Sequence, residues 1–345
     1  MNPQKKPAFL YHFDALEDPR IDRKKLYPLP EILLVVLCGS ICGARSWRDF
    51  VTFGEEKVDY LRRFLPFENE IPSKNTFARV LSSLNPTLFK QCLIAWIQSC
   101  QLALREVIAI DGKSLRKSFD KATEQSAIPM VSAFATSSKI VLGQEKVYEQ
   151  SNEMTAIPKL LDLLAIEGSI VSIDAMGTQK KIAKKIRGKK ADYVLSLKGN
   201  HSTLHDDIRL FLSAEIEKLH QAKSHKIVDQ YEDHDKGHGR IEHRLCYVTD
   251  HLDWLEHRSD WCDLKTVAMV ESRVTVGDTT TTEQRYFISS LPANAQELAQ
   301  AIRSHWAIEN SLHWVLDVTM GEDLSRVRKA HAPENMAMIR HIVLN

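Results

Sequence analysis

Glu106-Val-Ile-Ala-Ile-Asp111-Gly-Lys-Ser114 is the stretch whose reading decides the fold. Its apolar run is rich in strand formers and too short for a helix, and Asp-Gly behind it is a turn signal. A strand over 106–111 that ends at Asp111 is therefore expected. Residues 127–136 and 139–149 read as two further strands, split by Ser137-Ser138. Met154 to Ala165 has helical amphipathic spacing. Ser169 to Asp174 is a second apolar strand that ends in an aspartate. A basic helix over 178–187, a strand from Ala191 to Leu197 and a helix over 202–219 follow.

Three meandering strands followed by alternating helices and strands imply a mixed sheet with helices on its faces. This is the element order of a ribonuclease-H-like α/β (α+β) core. Upstream, residues 28–104 read as an all-helical domain. An apolar helix begins near Pro30 and ends near Gly43, and residues 46–65 carry Trp47, Phe50, Val51, Val58, Leu61, Phe64 and Leu65 at helical spacing. Helices over 74–84, with Ser73 as N-cap, and over 87–104 complete it. Residues 1–27 look like a polar lead-in. Downstream, about 225–290 reads as β-rich, with strands near 241–249, 264–275 and 283–290, and Asn294 to Val318 as a long helix. A ribonuclease-H-like domain is thus expected over 105–345.

The chain has 345 residues, 43% of them hydrophobic and 26% charged, which fits a soluble globular protein and excludes a disordered or collagen-like one. The net charge of +1 gives no warrant by itself for a nucleic-acid partner. Six cysteines include no CxxC pair, so they read as thiols in a reducing cytosol rather than as zinc ligands. The most apolar stretch, Ile32 to Ala44, is too short to cross a ~30 Å hydrocarbon layer and reads as a buried helix. The first thirty residues hold no signal-peptide core. A cytoplasmic protein is expected.

Three acids stand out. Asp111 and Asp174 each follow a buried strand, where an ionised carboxylate is costly unless paired or metal-bound. If the two strands are neighbours, the carboxylates sit side by side and invite a divalent cation. The alternative is that each merely starts a turn. Glu309 lies in the helix Ile302 to Asp317, near one face with Trp306 and His313. An acid amid that much apolar surface is paired with Arg303 or His313, or bound to metal.

Five segments carry a resemblance: Ala-Ile-Asp111-Gly-Lys-Ser, Ser-Ile-Val-Ser-Ile-Asp174-Ala-Met-Gly-Thr-Gln, Tyr193-Val-Leu-Ser-Leu-Lys-Gly-Asn-His, Gly237-His-Gly-Arg-Ile-Glu, and His305-Trp-Ala-Ile-Glu309-Asn-Ser-Leu-His-Trp-Val-Leu-Asp-Val. In this order and spacing they resemble the DDE transposases of bacterial insertion sequences, nearest to the H-repeat-associated group, from about residue 10 to the end. The resemblance implies a catalytic, metal-holding triad of Asp111, Asp174 and Glu309, Mg²⁺ as cofactor with Mn²⁺ as substitute, and a β-rich insertion before the Glu helix. Where some relatives carry Tyr, Arg and Lys around this Glu, the chain has Ile302, His305 and Leu316. Those DNA contacts are not carried over, and Arg303 is the substitute.

Between 176 and 200 there are eight basic residues and one acid, Asp192, a local excess that suits phosphates. Lys180, Lys184 and Arg187 share a helical face, and Lys198 follows; a solvated helix face is the plainer reading. Helix 74–84, with Lys74, Asn75, Thr76 and Arg79, is a weaker candidate for recognition of DNA ends. Nine of fourteen histidines lie between 201 and 257, but no cysteine or acid completes a zinc pattern. Trp254 and Trp261 suit core packing better than base stacking.

The reading is a Mg²⁺-dependent DNA transposase that cleaves and joins strands, with no membrane partner. It binds insertion-sequence ends and target as a homodimer, at the nucleoid when on DNA. Its rivals are a nuclease that cuts without joining, a truncated, inactive DNA-binding relic suggested by the stop at Asn345 within a helical pattern, and a structural module whose acids cap turns.

Overall fold

The computed structural model describes residues 6–100, 105–119, 126–148, 152–221, 227–237 and 239–345. Residues 101–104, the end of the helix expected over 87–104, lie outside them, as does His238. Strand β1 (Val107–Leu115) does not turn at Asp111-Gly112 but runs through it. Strand β2 (Ile128–Ala135) pairs antiparallel along it, with Asp111 opposite Ser132 and Gly112 opposite Val131. The ladder satisfies backbone groups on both strands and so overrides the local Asp-Gly preference. β3 (Ile140–Lys146) extends the trio outward. β4 (Ile170–Ile173) lies parallel to the first half of β1 and stops with Ile173 opposite Ile110. β5 (Asp192–Leu197) is parallel to β4. This is the expected mixed core.

The expected insertion is four-stranded: β6 (Asp229–Gly237), β7 (Arg240–Thr249), β8 (Thr266–Val276) and β9 (Thr279–Ser289). The polar β6 escaped the sequence reading because it has no apolar alternation. The insertion is no separate unit, because β9 pairs with β5 and yields one nine-stranded sheet of order β3-β2-β1-β4-β5-β9-β8-β7-β6.

The helices are α1 (Ala8–His12), α2 (Leu29–Ile41), α3 (Trp47–Leu61), α4 (Lys74–Ser83), α5 (Pro86–Ser99), α6 (Glu153–Leu163), α7 (Lys180–Gly188), α8 (Ser202–His220), α9 (Ala295–Ala307) and α10 (Ala332–Leu344). α2 is apolar on every side and accordingly buried from Ile32 to Leu37. Ser46 and Asp49 form a capping box that starts α3. The lead-in is not a free polar arm: Phe9 packs on Trp96, Phe13 packs on Phe89, and Leu10 and Leu16 are buried. α10 docks between α2, α4, α5 and β3. Buried Asn335 donates from Nδ2 to the carbonyls of Leu81 and Leu84. One hydrophobic core therefore spans the N-terminal helices and one face of the sheet.

Alternation along β1 sets the faces. Ile108 and Ile110 join the core that holds Ile157 and Leu160 of α6. Ala109 packs on the other face with Ile308, Leu312 and Leu316. Asp111 therefore points toward the segment after α9, and Gly112 toward α6.

Candidate active site

The expected helix over Asn294–Val318 starts as α9 and continues in widened π-helical turns over Ile308–His313 and Val315–Thr319. Such turns are rare and concentrate at functional sites. Glu309 lies in the first of them. Leu316 is buried at the far end, whereas Trp306 is exposed and lies under the Arg285 guanidinium, 4.9 Å from it.

His313 connects strand and helix. Its Nδ1 lies 2.9 Å from Glu309 Oε2 and 3.7 Å from Asp111 Oδ2. One ligand atom from each of Asp111, Glu309 and His313 falls within 4.8 Å of the others. His313 is buried, whereas the Glu309 side chain is 57% exposed, so the cluster opens to solvent on the Glu309 side. Of the partners open to Glu309 in the sequence, the structure chooses His313. Arg303 instead pairs with Asp235 of β6.

Asp174 follows the last residue of β4, one strand away from Asp111. Its Oδ1 accepts from the backbone N–H of Met176 and Gly177, so it does cap its own turn. Oδ2 has no partner among the described residues. Thr178 Oγ1 donates to the carbonyls of Asp174 and Ser196, which ties this turn to the end of β5. Burial pushes the Asp111 carboxyl up, against the pull of His313 and the Gly112 N–H, and the Asp174 charge adds to the rise. Burial drives His305 down despite the charges of Asp111 and Asp174. Its Nδ1 is shielded from solvent and unpartnered among the described residues.

The sequence reading missed Glu153. It started α6 one residue late, at Met154, and took Gly112 for a turn. Glu153 lies over Gly112 and is held up to about 7 by burial, then by the charges of Asp174 and Asp111. The available signal was a glycine directly after a strand aspartate, which also marks close approach of another group.

Lys113 of the same motif is buried against Asp317 (2.7 Å) and Glu322 (2.9 Å), and Glu322 also binds Arg340 at 3.0 Å. This network braces β1, just past Asp111, against the turn that ends the Glu309 segment.

Four of the eight cations in the basic run pair with acids from other elements. Lys180 pairs with Asp260, Lys185 with Asp162, and Lys190 with Glu167. Lys189 donates to the carbonyls of Leu161, Asp162 and Leu164. Arg187 is held by Asp192 (2.5 Å) and Asp263 (2.9 Å) and is mostly covered, so it clamps α7 to β5. Lys184 and Lys198 are exposed and without an ion pair among the described residues. On α4, Lys74, Asn75 and Arg79 are exposed while Thr76 is buried. Trp261 is buried, and Trp254 stacks on Phe211 at 4.2 Å; both are packing residues. His201 binds the Thr178 carbonyl, while His234 stacks on His243 beside Glu232. The six cysteines are free; Cys92 and Cys246 are buried, Cys42 and Cys100 exposed. Among the described residues no helix is long and apolar enough to cross a membrane.

Sheet order and acidic site define a ribonuclease-H-like core with carboxylates gathered at the end of its central strands. The DDE_Tnp_1-associated model matches residues 10–97 and the Transposase DDE domain model matches residues 102–345. The chain belongs to the DDE transposase family and is a DNA transposase. It is 39% identical over 343 residues to Putative transposase YncI of Escherichia coli O157:H7, covering 98% of this chain and 86% of that one. It is 40% identical over 340 residues to H repeat-associated putative transposase YhhI of Escherichia coli K12, covering 97% and 88%. A piggyBac transposase in a synaptic complex with hairpin DNA aligns with 94% of this chain and 68% of that chain, at TM-score 0.41 and 10% identity.

Proposed function

We propose that Asp111, Asp174 and Glu309 are the catalytic triad of this transposase and hold Mg²⁺, for which Mn²⁺ substitutes. The observation that carries the reading is the meeting of Asp111 on β1 with Glu309 on the π-helical segment, within 4.8 Å through His313. The donor set fits hard cations: carboxylate oxygens on two neighbouring strands and a helix, with Asp174 Oδ2 and Glu309 Oε1 not engaged by the described residues. When bound, such ions would supply electrostatic stabilisation to the attacking and leaving oxygens of an in-line phosphodiester displacement. The attacking group is water in cleavage and a DNA 3′-hydroxyl in joining, so no protein nucleophile is required.

The residues of the chain hold and orient. His313 keeps Glu309 turned toward Asp111. The pairing of β1 with β4 keeps Asp111 and Asp174 side by side. Lys184 and Lys198 contact phosphates. Lys180 and Arg303 join them, because their ion pairs are solvent-exposed and yield to a phosphate. Arg187 is retained as a clamp. The exposed face of α4 helps bind the ends, and the protein acts as a homodimer at the nucleoid in the cytoplasm.

The test uses purified protein, Mn²⁺ and DNA with the flanks of its own gene. Nicking at a defined end that Asp174→Asn abolishes, with DNA binding kept or tightened, supports the triad. Equal cleavage by the mutant refutes it. Pre-cleaved ends that are never joined to a target identify a nuclease instead.

A further inference from the structure

Glu153 opens α6 on the face of the sheet opposite Asp111, and its carboxylate reaches the strand only because residue 112 is glycine. A Cβ there would lie 1.9 Å from Glu153 Oε1 and 2.5 Å from its carboxyl carbon, far inside any real contact. Gly112 needs no unusual backbone, since it sits in regular strand pairing with Val131. The missing side chain serves close approach instead. β4 stops opposite Ile110, so beyond that point its parallel pairing with β1 ends. Asp111 and Gly112 lie just past that point on β1, Asp174 follows the end of β4, and the charges of both aspartates act on Glu153. Glu153 has no hydrogen-bond or ion-pair partner among the described residues. A half-buried acid set among like charges, with no donor or cation, is unfavourable for folding alone. A divalent cation reverses the sign of those interactions. His305 borders the same two aspartates with a shielded, unpartnered Nδ1, so this side too is polar and incompletely satisfied.

We infer that Glu153 is a fourth carboxylate of the metal centre, entering from the α6 side of β1, and that Gly112 is the clearance it requires. The inference rests on the proposed roles of Asp111 and Asp174 and adds a ligand outside that triad.

The experiment measures Mn²⁺ binding to the full-length, DNA-free protein by electron paramagnetic resonance, with Glu153→Gln, Gly112→Ala, their double variant and Asp111→Asn. Glu153→Gln is nearly isosteric, and Gly112→Ala displaces only the far end of a flexible side chain. Far-UV circular dichroism of each variant checks the fold. Expected is a loss of affinity of about tenfold or more for each of the two variants. The double variant is expected to lose no more than either single, because both remove the same contact. Glu153→Gln binding Mn²⁺ as wild type does, while Asp111→Asn loses it, overturns the inference and leaves the triad standing. A wild-type protein without saturable Mn²⁺ binding overturns both.

Discussion

Glu322→Gln tests how β1, the strand that carries Asp111, is held. The Glu322 side chain is 3% exposed and faces two cations, Lys113 at 2.9 Å and Arg340 at 3.0 Å, themselves almost covered. Burial alone would raise its pKa; Arg340 and Lys113 outweigh burial and hold the carboxyl below its ordinary 4.5. Removing one member of a buried ion pair costs about 3–5 kcal/mol, because the remaining charge stays desolvated and uncompensated. Lys113 retains Asp317 at 2.7 Å. The expected loss therefore lies at the lower bound, about 3 kcal/mol. Urea unfolding at neutral pH reads it as a lowered midpoint with unchanged slope. The sign with pH is defined. A carboxyl depressed in the fold stabilises above its unfolded value, 4.5, and loses that contribution as pH falls through the lower folded value. The gap between wild type and variant should thus close in acid. Because Lys113 lies two residues past Asp111, Mn²⁺ affinity should fall as well. A cost below about 1 kcal/mol, or a gap that widens in acid, would refute the reasoning.

Three further outcomes are expected. His341 is fully buried and driven down to about 4 from 6.5, chiefly by burial, so the unfolded chain binds the extra proton. Stability should fall by about 3 kcal/mol as pH drops from the unfolded value toward the folded one, and His341→Gln should flatten that slope in acid-titrated melts. Lys184→Ala and Lys198→Ala should each reduce the salt dependence of DNA binding by about one unit of slope without changing stability. Arg187→Gln should do the reverse and lower the melting temperature, since it breaks the contacts with Asp192 and Asp263; equal salt slopes for all three variants would contradict the division. In Gly177→Ala a Cβ would stand 2.3 Å from Ile173 Cγ2 and 2.7 Å from Ile157 Cδ1. Both are packed core atoms, so a loss of about 1–3 kcal/mol is expected in denaturant titrations, with weakened metal binding because the same turn holds Asp174.

The local pattern of the chain is informative wherever a segment's own chemistry dominates its conformation. The apolar runs at Val107–Ile110 and Ile170–Ile173 and the helices α6 to α8 were legible, and with them the mixed sheet; the Ser46–Asp49 capping box and the Asn85 cap were not. Asp111, Asp174 and Glu309 were legible as candidates because ionisable groups beside apolar strands and helices need a reason to be there. What depends on partners remote in sequence was not legible. β1 crosses Asp-Gly because β2 supplies its ladder, and β6 is a strand only because β7 pairs with it. The basic run reads as a free positive patch until Asp162, Glu167, Asp260 and Asp263 arrive from other elements and pair with four of its eight cations. Glu153 reads as an unremarkable acid at the start of a helix. Side-chain type and spacing are local properties, and they determine which segments become strands and helices. Charge compensation and close approach depend on distances in space, so only the folded chain decided which lysines remain free and that Gly112 admits a fourth carboxylate.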